Sequence, residues 1–205
     1  MSREQVGLRI GVLALQGAFD VHARRLREVG ADPIEVRTPE QLGGLHGLIL
    51  PGGESTTMLK FLERGGFFEL LQDYVRRTPT FGTCAGAILL ARHVESPAQP
   101  SLGALDITVE RNAYGRQIDS TILTAPTSLA GGLLEMVFIR APRIRSVGPG
   151  VETLATRDGF PALVRSGHLL AATFHPELSA DLRVHRLFLD MVREQKSSQT
   201  PSIPL

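Results

Sequence analysis

From Leu8 to Leu15 the chain reads LRIGVLAL, a nearly unbroken apolar run of the kind found in strands covered on both faces. Gln16-Gly17 ends it, and Phe19 to Val29 then reads as a helix stopped by Gly30. Pro33 to Val36 and Gly47 to Leu50 are short strands, and helices follow from Thr56 to Arg64 and from Phe67 to Arg77. Pro79 and Gly82 bracket another short apolar run that suits a buried strand. Ala85 to Ala91 is small, then aliphatic, and suits a helix packed on a sheet. Strands alternating with helices predict an α/β fold with a mainly parallel sheet. Ligands in such sheets sit at the carboxyl ends of the strands, where Gln16, Gly52-Gly53 and Cys84 all fall.

The texture changes from Leu105. Ile107–Arg111, Ser120–Leu123, Met136–Arg140 and Arg145–Val147 read as short strands punctuated by Gly115, Pro126, Gly131-Gly132 and Pro142. They predict an antiparallel β extension of the same domain. Val151–Ala155, Pro161–Arg165 and His168–Phe174 are three more strands. A closing helix from Asp181 to Glu194 has Leu182, Leu187, Phe188 and Met191 as its expected core positions. Residues 1–195 thus form one expected domain. The stretch 196–205 (KSSQTPSIPL) is Ser/Pro-rich and expected to be a flexible tail.

Composition narrows the function classes. The chain has 205 residues and a net charge of +1, so no overall field draws it to nucleic acid or to an anionic membrane. No apolar run reaches the length of a membrane span. One cysteine excludes an internal disulfide and argues for a reducing, cytoplasmic setting. No Cys/His cluster has metal-ligand spacing, and neither a phosphate-binding Gly-Lys loop nor a dinucleotide fingerprint occurs. Neither metal nor cofactor is therefore expected.

Three stretches carry chemistry. Gly82-Thr83-Cys84-Ala85-Gly86 is a cysteine version of the strand–turn–helix nucleophile elbow. Its glycines suit a tight, crowded turn, and the following helix aims its N-terminal N–H groups at the sulfur. Pro51-Gly52-Gly53-Glu54-Ser55 lies between a strand and a helix, where backbone amides can turn toward a ligand or a Ser/Thr can simply cap the helix. His175-Pro176-Glu177 ends a strand. In extended backbone His175 and Glu177 point the same way, so Glu177 can hold one ring nitrogen and leave the other for a thiol. The other five histidines have no comparable context. His22 belongs to a basic cluster with Arg24, Arg25 and Arg27 that reads as a solvated helix face, with a docking surface for a partner as the alternative.

Together these stretches resemble the class I, triad-type glutamine amidotransferases, which have a three-layer, flavodoxin-like sheet. Ala14-Leu15-Gln16-Gly17-Ala18, Pro51 to Thr57, Arg111-Asn112-Ala113-Tyr114-Gly115-Arg116-Gln117, Phe138 to Pro142 and Phe174 to Leu178 narrow the resemblance to the glutaminase subunits of pyridoxal phosphate synthases. The resemblance implies that Cys84 attacks the side-chain amide of L-glutamine, that His175 is base and then acid, and that Glu177 holds His175. It implies an oxyanion hole from the backbone N–H groups of Gly53 and Ala85. It also implies a glutamine pocket lined by Gly52, Gly53, Glu54, Arg111, Ile139 and Arg140. An arginine there has a physical rationale, because guanidinium grips an α-carboxylate with two parallel bonds. The implied partner is a barrel-shaped synthase subunit that receives the ammonia, with Gln16 linking docking to the oxyanion hole. Two alternatives share parts of the pattern: a glutaminase of another pathway or γ-glutamyl hydrolase, and a non-catalytic scaffold on the same fold.

Overall fold

Leu48, Ile49 and Leu50, consecutive on one short strand, point alternately into two different cores. That alternation organises the computed structural model, which describes residues 7–111, 113 and 120–199. The strands at its centre are covered on both faces, which is why their sequences are apolar without a polar side.

In chain order the elements are β1 (Arg9–Leu13), α1 (Phe19–Glu28), β2 (Asp32–Val36), β3 (Gly47–Leu50), α2 (Ser55–Leu62), α3 (Phe67–Val75), β4 (Thr80–Thr83) and α4 (Ala85–Leu90). Then come β5 (Ala91–Glu95), β6 (Leu105–Glu110), β7 (Thr121–Ala125), β8 (Leu134–Phe138), β9 (Arg143–Val147), β10 (Glu152–Arg157), β11 (Phe160–Ser166), β12 (Leu169–Ala172) and α5 (Arg183–Gln199). The main sheet has seven strands in the order β10-β11-β12-β4-β3-β1-β2. β12, β4, β3, β1 and β2 run parallel, and β11 and β10 continue the sheet antiparallel. One face packs Leu13, Leu48, Leu50 and Ala171 against α2, α3 and α4 and the small sheet β5-β6-β9. The other packs Ile10, Val12, Ile49 and Phe81 against α1, α5 and the β7-β8 hairpin. The expected three-layer architecture is present.

The differences are local. β5 was expected as the end of a helix and a loop; its backbone instead pairs parallel with β6, so the small sheet is mixed rather than wholly antiparallel. α5 turns its Val184, His185, Phe188, Leu189, Met191 and Val192 face inward, while Leu182 and Leu187 are only half-buried. It also continues past the expected end at Glu194 to Gln199. Residues 200–205 of the expected tail lie outside the described residues, as do Asn112 and residues 114–117 of the Arg111–Gln117 motif.

Candidate active site

Four adjacent parallel strands end on one side of the sheet, and each delivers one part of the site. In spatial order β12 leads to His175, β4 to Cys84, β3 to Gly52 and Gly53, and β1 to Gln16. The cleft they border has a volume of about 340 Å³ and is lined by Gln16, Gly53, Glu54, Ser55, Cys84, Ile88, Arg111, Ile139, Arg140 and His175. All the residues expected to line the pocket are there except Gly52, which lies against His175 and Cys84 instead.

Cys84 joins β4 to α4 with φ 47° and ψ −102°, a conformation that a residue with a side chain adopts only at a cost. The turn is enforced from both sides. The Cys84 N–H donates to the Ala172 carbonyl of β12 at 2.8 Å, and the Ile88 N–H closes onto the Cys84 carbonyl at 3.2 Å. Gly86 leaves no room for a side chain, since a β-carbon there would run into the Leu50 backbone, 2.6 Å from its carbonyl carbon. The elbow thus presses the sulfur up at the rim, where Cys84 remains 6% exposed. Ala85 opens α4, and its N–H belongs to the first turn, whose donors have no partner inside the helix.

His175 Nδ1 lies 2.7 Å from Glu177 Oε1. The extended geometry expected between them is absent: Pro176–Leu178 is a single 3-10 turn with His175 at its N-cap. The tight turn, rather than strand alternation, brings the carboxylate round to the ring. Arg25 on α1 pins it from behind, its Nε donating to the Glu177 carbonyl at 3.0 Å. Burial works to lower the pKa of His175. The hydrogen bonds and charges of Cys84 and Glu177 outweigh it, and the ring is pushed up to about 10. Glu177 is itself fully buried; burial works to raise its pKa, but His22 and His175 hold it below the ordinary range.

The glycine loop differs from the Ser/Thr-capped turn considered above. α2 begins at Ser55 and its cap is Glu54, whose carboxylate accepts the N–H groups of Thr56 at 3.1 Å and Thr57 at 2.8 Å, together with both threonine hydroxyls. Those bonds, led by the Thr56 and Thr57 hydroxyls, hold Glu54 down to about 2. Arg111 Nη2 stands 3.9 Å from the same carboxylate. Gln16 reaches across from β1, and its Oε1 accepts the Glu54 N–H at 2.8 Å. Ile139 and Arg140 follow β8 on the open side of the cleft, and Arg140 has a positive φ of 45°.

Ser55 and Ile88 line the cleft without having been expected there; Ser55 lies within the glycine-loop motif, and Ile88 one turn beyond Cys84 on the helix that follows the elbow. His22 is the larger omission. It is fully buried beside Glu177 and not on a solvated face. Phe19, His22, Ala23 and Leu26 recur at helical spacing, and that periodicity marks His22 as inward-facing.

A model of the SNO glutamine amidotransferase family matches residues 12–194. A pyridoxal 5'-phosphate synthase subunit PdxT of Koribacter versatilis is 62% identical over 94% of this chain and 100% of its own. The protein of the same name from Solibacter usitatus is 53% identical over 88% of this chain and 97% of its own. A crystal structure of a glutamine amidotransferase superposes with a TM-score of 0.83 at 47% identity, covering 90% of this chain and 98% of that one.

Proposed function

The chain belongs to the SNO glutamine amidotransferase family, and from that premise we propose that it is the glutaminase subunit of a pyridoxal 5'-phosphate synthase. It hydrolyses L-glutamine to glutamate and ammonia and hands the ammonia to a synthase subunit. One observation carries the reading: a strained cysteine, a buried His–Glu pair and the glycine loop converge on a single cleft.

In this reading Cys84 Sγ attacks the side-chain amide carbon of glutamine, and the thiol proton resides on His175. The tetrahedral oxyanion accepts the backbone N–H groups of Gly53 and Ala85. The carbon–nitrogen bond breaks as His175 delivers its proton to the leaving nitrogen, which departs as ammonia. Water then gives a proton to His175 and attacks the γ-glutamyl thioester, the carbon–sulfur bond breaks to return the Cys84 sulfur, and glutamate leaves. Glu177 keeps the ring oriented and stabilises its protonated form, which the elevated His175 pKa reflects. Gly53, Glu54, Arg111, Ile139 and Arg140 form the glutamine pocket, and Gly52 packs against the His175 ring outside its lining. Glu54 is already committed to capping α2, so it contributes fixed negative charge more than a free side chain.

The ammonia is passed to a barrel-shaped synthase subunit, a reading supported by the relatives named as subunits of pyridoxal 5'-phosphate synthase. Gln16 couples docking to the oxyanion loop, a role supported by its hydrogen bond to the Glu54 N–H. Residues 1–195 act as one amidotransferase domain. A single thiol nucleophile suits a reducing cytoplasm, and among the described residues no helix is long and apolar enough to cross a membrane.

The test is glutamate release from L-glutamine by wild type and Cys84→Ala, each with and without the cognate synthase. Activity that rises with synthase and vanishes in Cys84→Ala supports the reading. Strong activity without synthase breaks the coupling, and no activity from a folded, bound wild type overturns the glutaminase assignment.

A further inference from the structure

Glu177 is fully buried, yet only one of its carboxylate oxygens has an aligned hydrogen bond. Oε1 accepts from His175 Nδ1. Oε2 lies 3.3 Å from His22 Nε2 but off the line of a hydrogen bond, and it has no aligned partner among the described residues. The same His22 nitrogen is 3.1 Å from Oγ1 of Thr83, the residue directly before the nucleophile. Behind it, His22 Nδ1 is 3.2 Å from His185 Nε2 on α5. Both histidines are fully buried, with the Phe81 ring edge-on to each at 6.2 and 6.1 Å.

Chemistry orders this chain in one direction. An ionised carboxylate only accepts, so the His22 nitrogen between Thr83 Oγ1 and Glu177 Oε2 carries the proton. His22 Nδ1 is then an acceptor, and His185 donates to it from Nε2. That leaves His185 Nδ1 as a bare lone pair, and it is the atom with no hydrogen-bond partner among the described residues. Burial, the largest influence on His22, keeps it below its ordinary pKa against the pull of Glu177, and His175 lowers it further. A neutral ring whose N–H faces a carboxylate supplies a fixed dipole without a second positive charge beside His175.

We propose that His22 is a positioning residue of this site: its Nε2–H, bonded to Thr83 Oγ1 and facing Glu177 Oε2 across 3.3 Å, holds the Glu177 carboxylate by charge–dipole attraction and so keeps Oε1 on His175. The Glu177 backbone is already held by Arg25 and its Oε1 by His175, and the remaining freedom is the swing of the carboxylate about its side-chain torsions. His185 acts one step further out by fixing the tautomer of His22. The inference rests on the Cys84–His175–Glu177 reading above.

The test compares kcat and KM for glutamate release by the full chain in complex with its synthase. The variants are Cys84→Ala, the double variant His22→Leu with His185→Phe, His22→Gln and His22→Asn. The double variant removes both polar rings and strands neither. Gln places an N–H where Nε2 was, whereas the Asn amide stops nearer the Nδ1 position. Removing the outer partner of a metal-ligating side chain lowers activity by about 10- to 100-fold, and the outer partner of a hydrogen-bonded carboxylate is expected to act on the same order. The expected result is a kcat loss of about that size for the double variant and for His22→Asn, with KM within about twofold, and recovery of most of kcat in His22→Gln. A purely structural role would not make kcat follow the reach of the amide. Equal kcat for Gln and Asn overturns the inference even if the double variant does not fold, and so does a folded double variant with wild-type kcat. A wild type without glutaminase activity overturns the underlying reading instead, and the Cys84→Ala control separates the two failures.

Discussion

Gly52 lies against the Cε1–Nδ1 edge of the His175 imidazole: a β-carbon at position 52 would fall 2.8 Å from Nδ1, closer still to Cε1, and 3.4 Å from the Cys84 β-carbon. The ring cannot give way without leaving either Glu177 or the sulfur. Gly52→Ala should therefore lower kcat by about 100-fold, the cost of a displacement of about 1 Å at a reacting centre. Steady-state glutaminase assays on the synthase complex check this. A kcat near wild type would show that the ring has slack.

Glu177→Gln keeps the size of the side chain and removes its charge. The Glu177 hydrogen bond and charge both raise His175, so the ring should titrate at lower pH than the value near 10 that it has now. NMR titration of the His175 Cε1–H resonance measures it. Glutamate release should fall by about 10²- to 10⁴-fold, as when the orienting acid of a triad is neutralised.

The same elevation has a consequence for stability. His175 moves from an ordinary 6.5 up to about 10, so the folded state binds its proton more tightly than the unfolded state does. The stabilisation is complete below pH 6.5 and is lost as pH rises through about 10. Urea midpoints should thus decline across that window in wild type. The decline should be shallower in His175→Asn, which has no such proton to lose. Parallel slopes in the two proteins would contradict the assignment.

Glu54→Ala removes the cap of α2, leaving the Thr56 and Thr57 N–H groups without their present acceptor. Losing a side-chain cap costs about 1 kcal/mol, so the thermal midpoint should drop by a few degrees. Because Arg111 also loses the carboxylate 3.9 Å away, KM for glutamine should change as well. Calorimetry and initial rates separate the two effects.

The cleft was legible in the sequence for a topological reason. Gln16, Gly52-Gly53, Cys84 and His175 each follow an apolar run, and parallel strands carry such positions to one edge of the sheet. What the pattern did not reveal was local geometry. His175 and Glu177 face each other through a 3-10 turn, which leaves no alternating signature. Glu54 caps its helix in a place where Ser or Thr is the commoner choice. His22 was assigned to the surface because its neighbours Arg24, Arg25 and Arg27 are basic, although its spacing from Phe19 and Leu26 puts it on the inner stripe. The partner that decides its role, Glu177, is remote in sequence, and no local window contains both.

β12 pairs with β4 in register, Ala172 beside Thr83, so Cys84 and His175, the proposed nucleophile and base, are aligned by a backbone ladder between two strands that are made far apart in time. During synthesis Cys84 emerges long before the strand that carries His175. Until that strand inserts, the chain has a sulfur without a base and a cleft without one wall. On the proposed mechanism, the order in which the polypeptide leaves the ribosome makes ammonia release a late-acquired property: only a chain that has closed its central sheet is expected to consume glutamine.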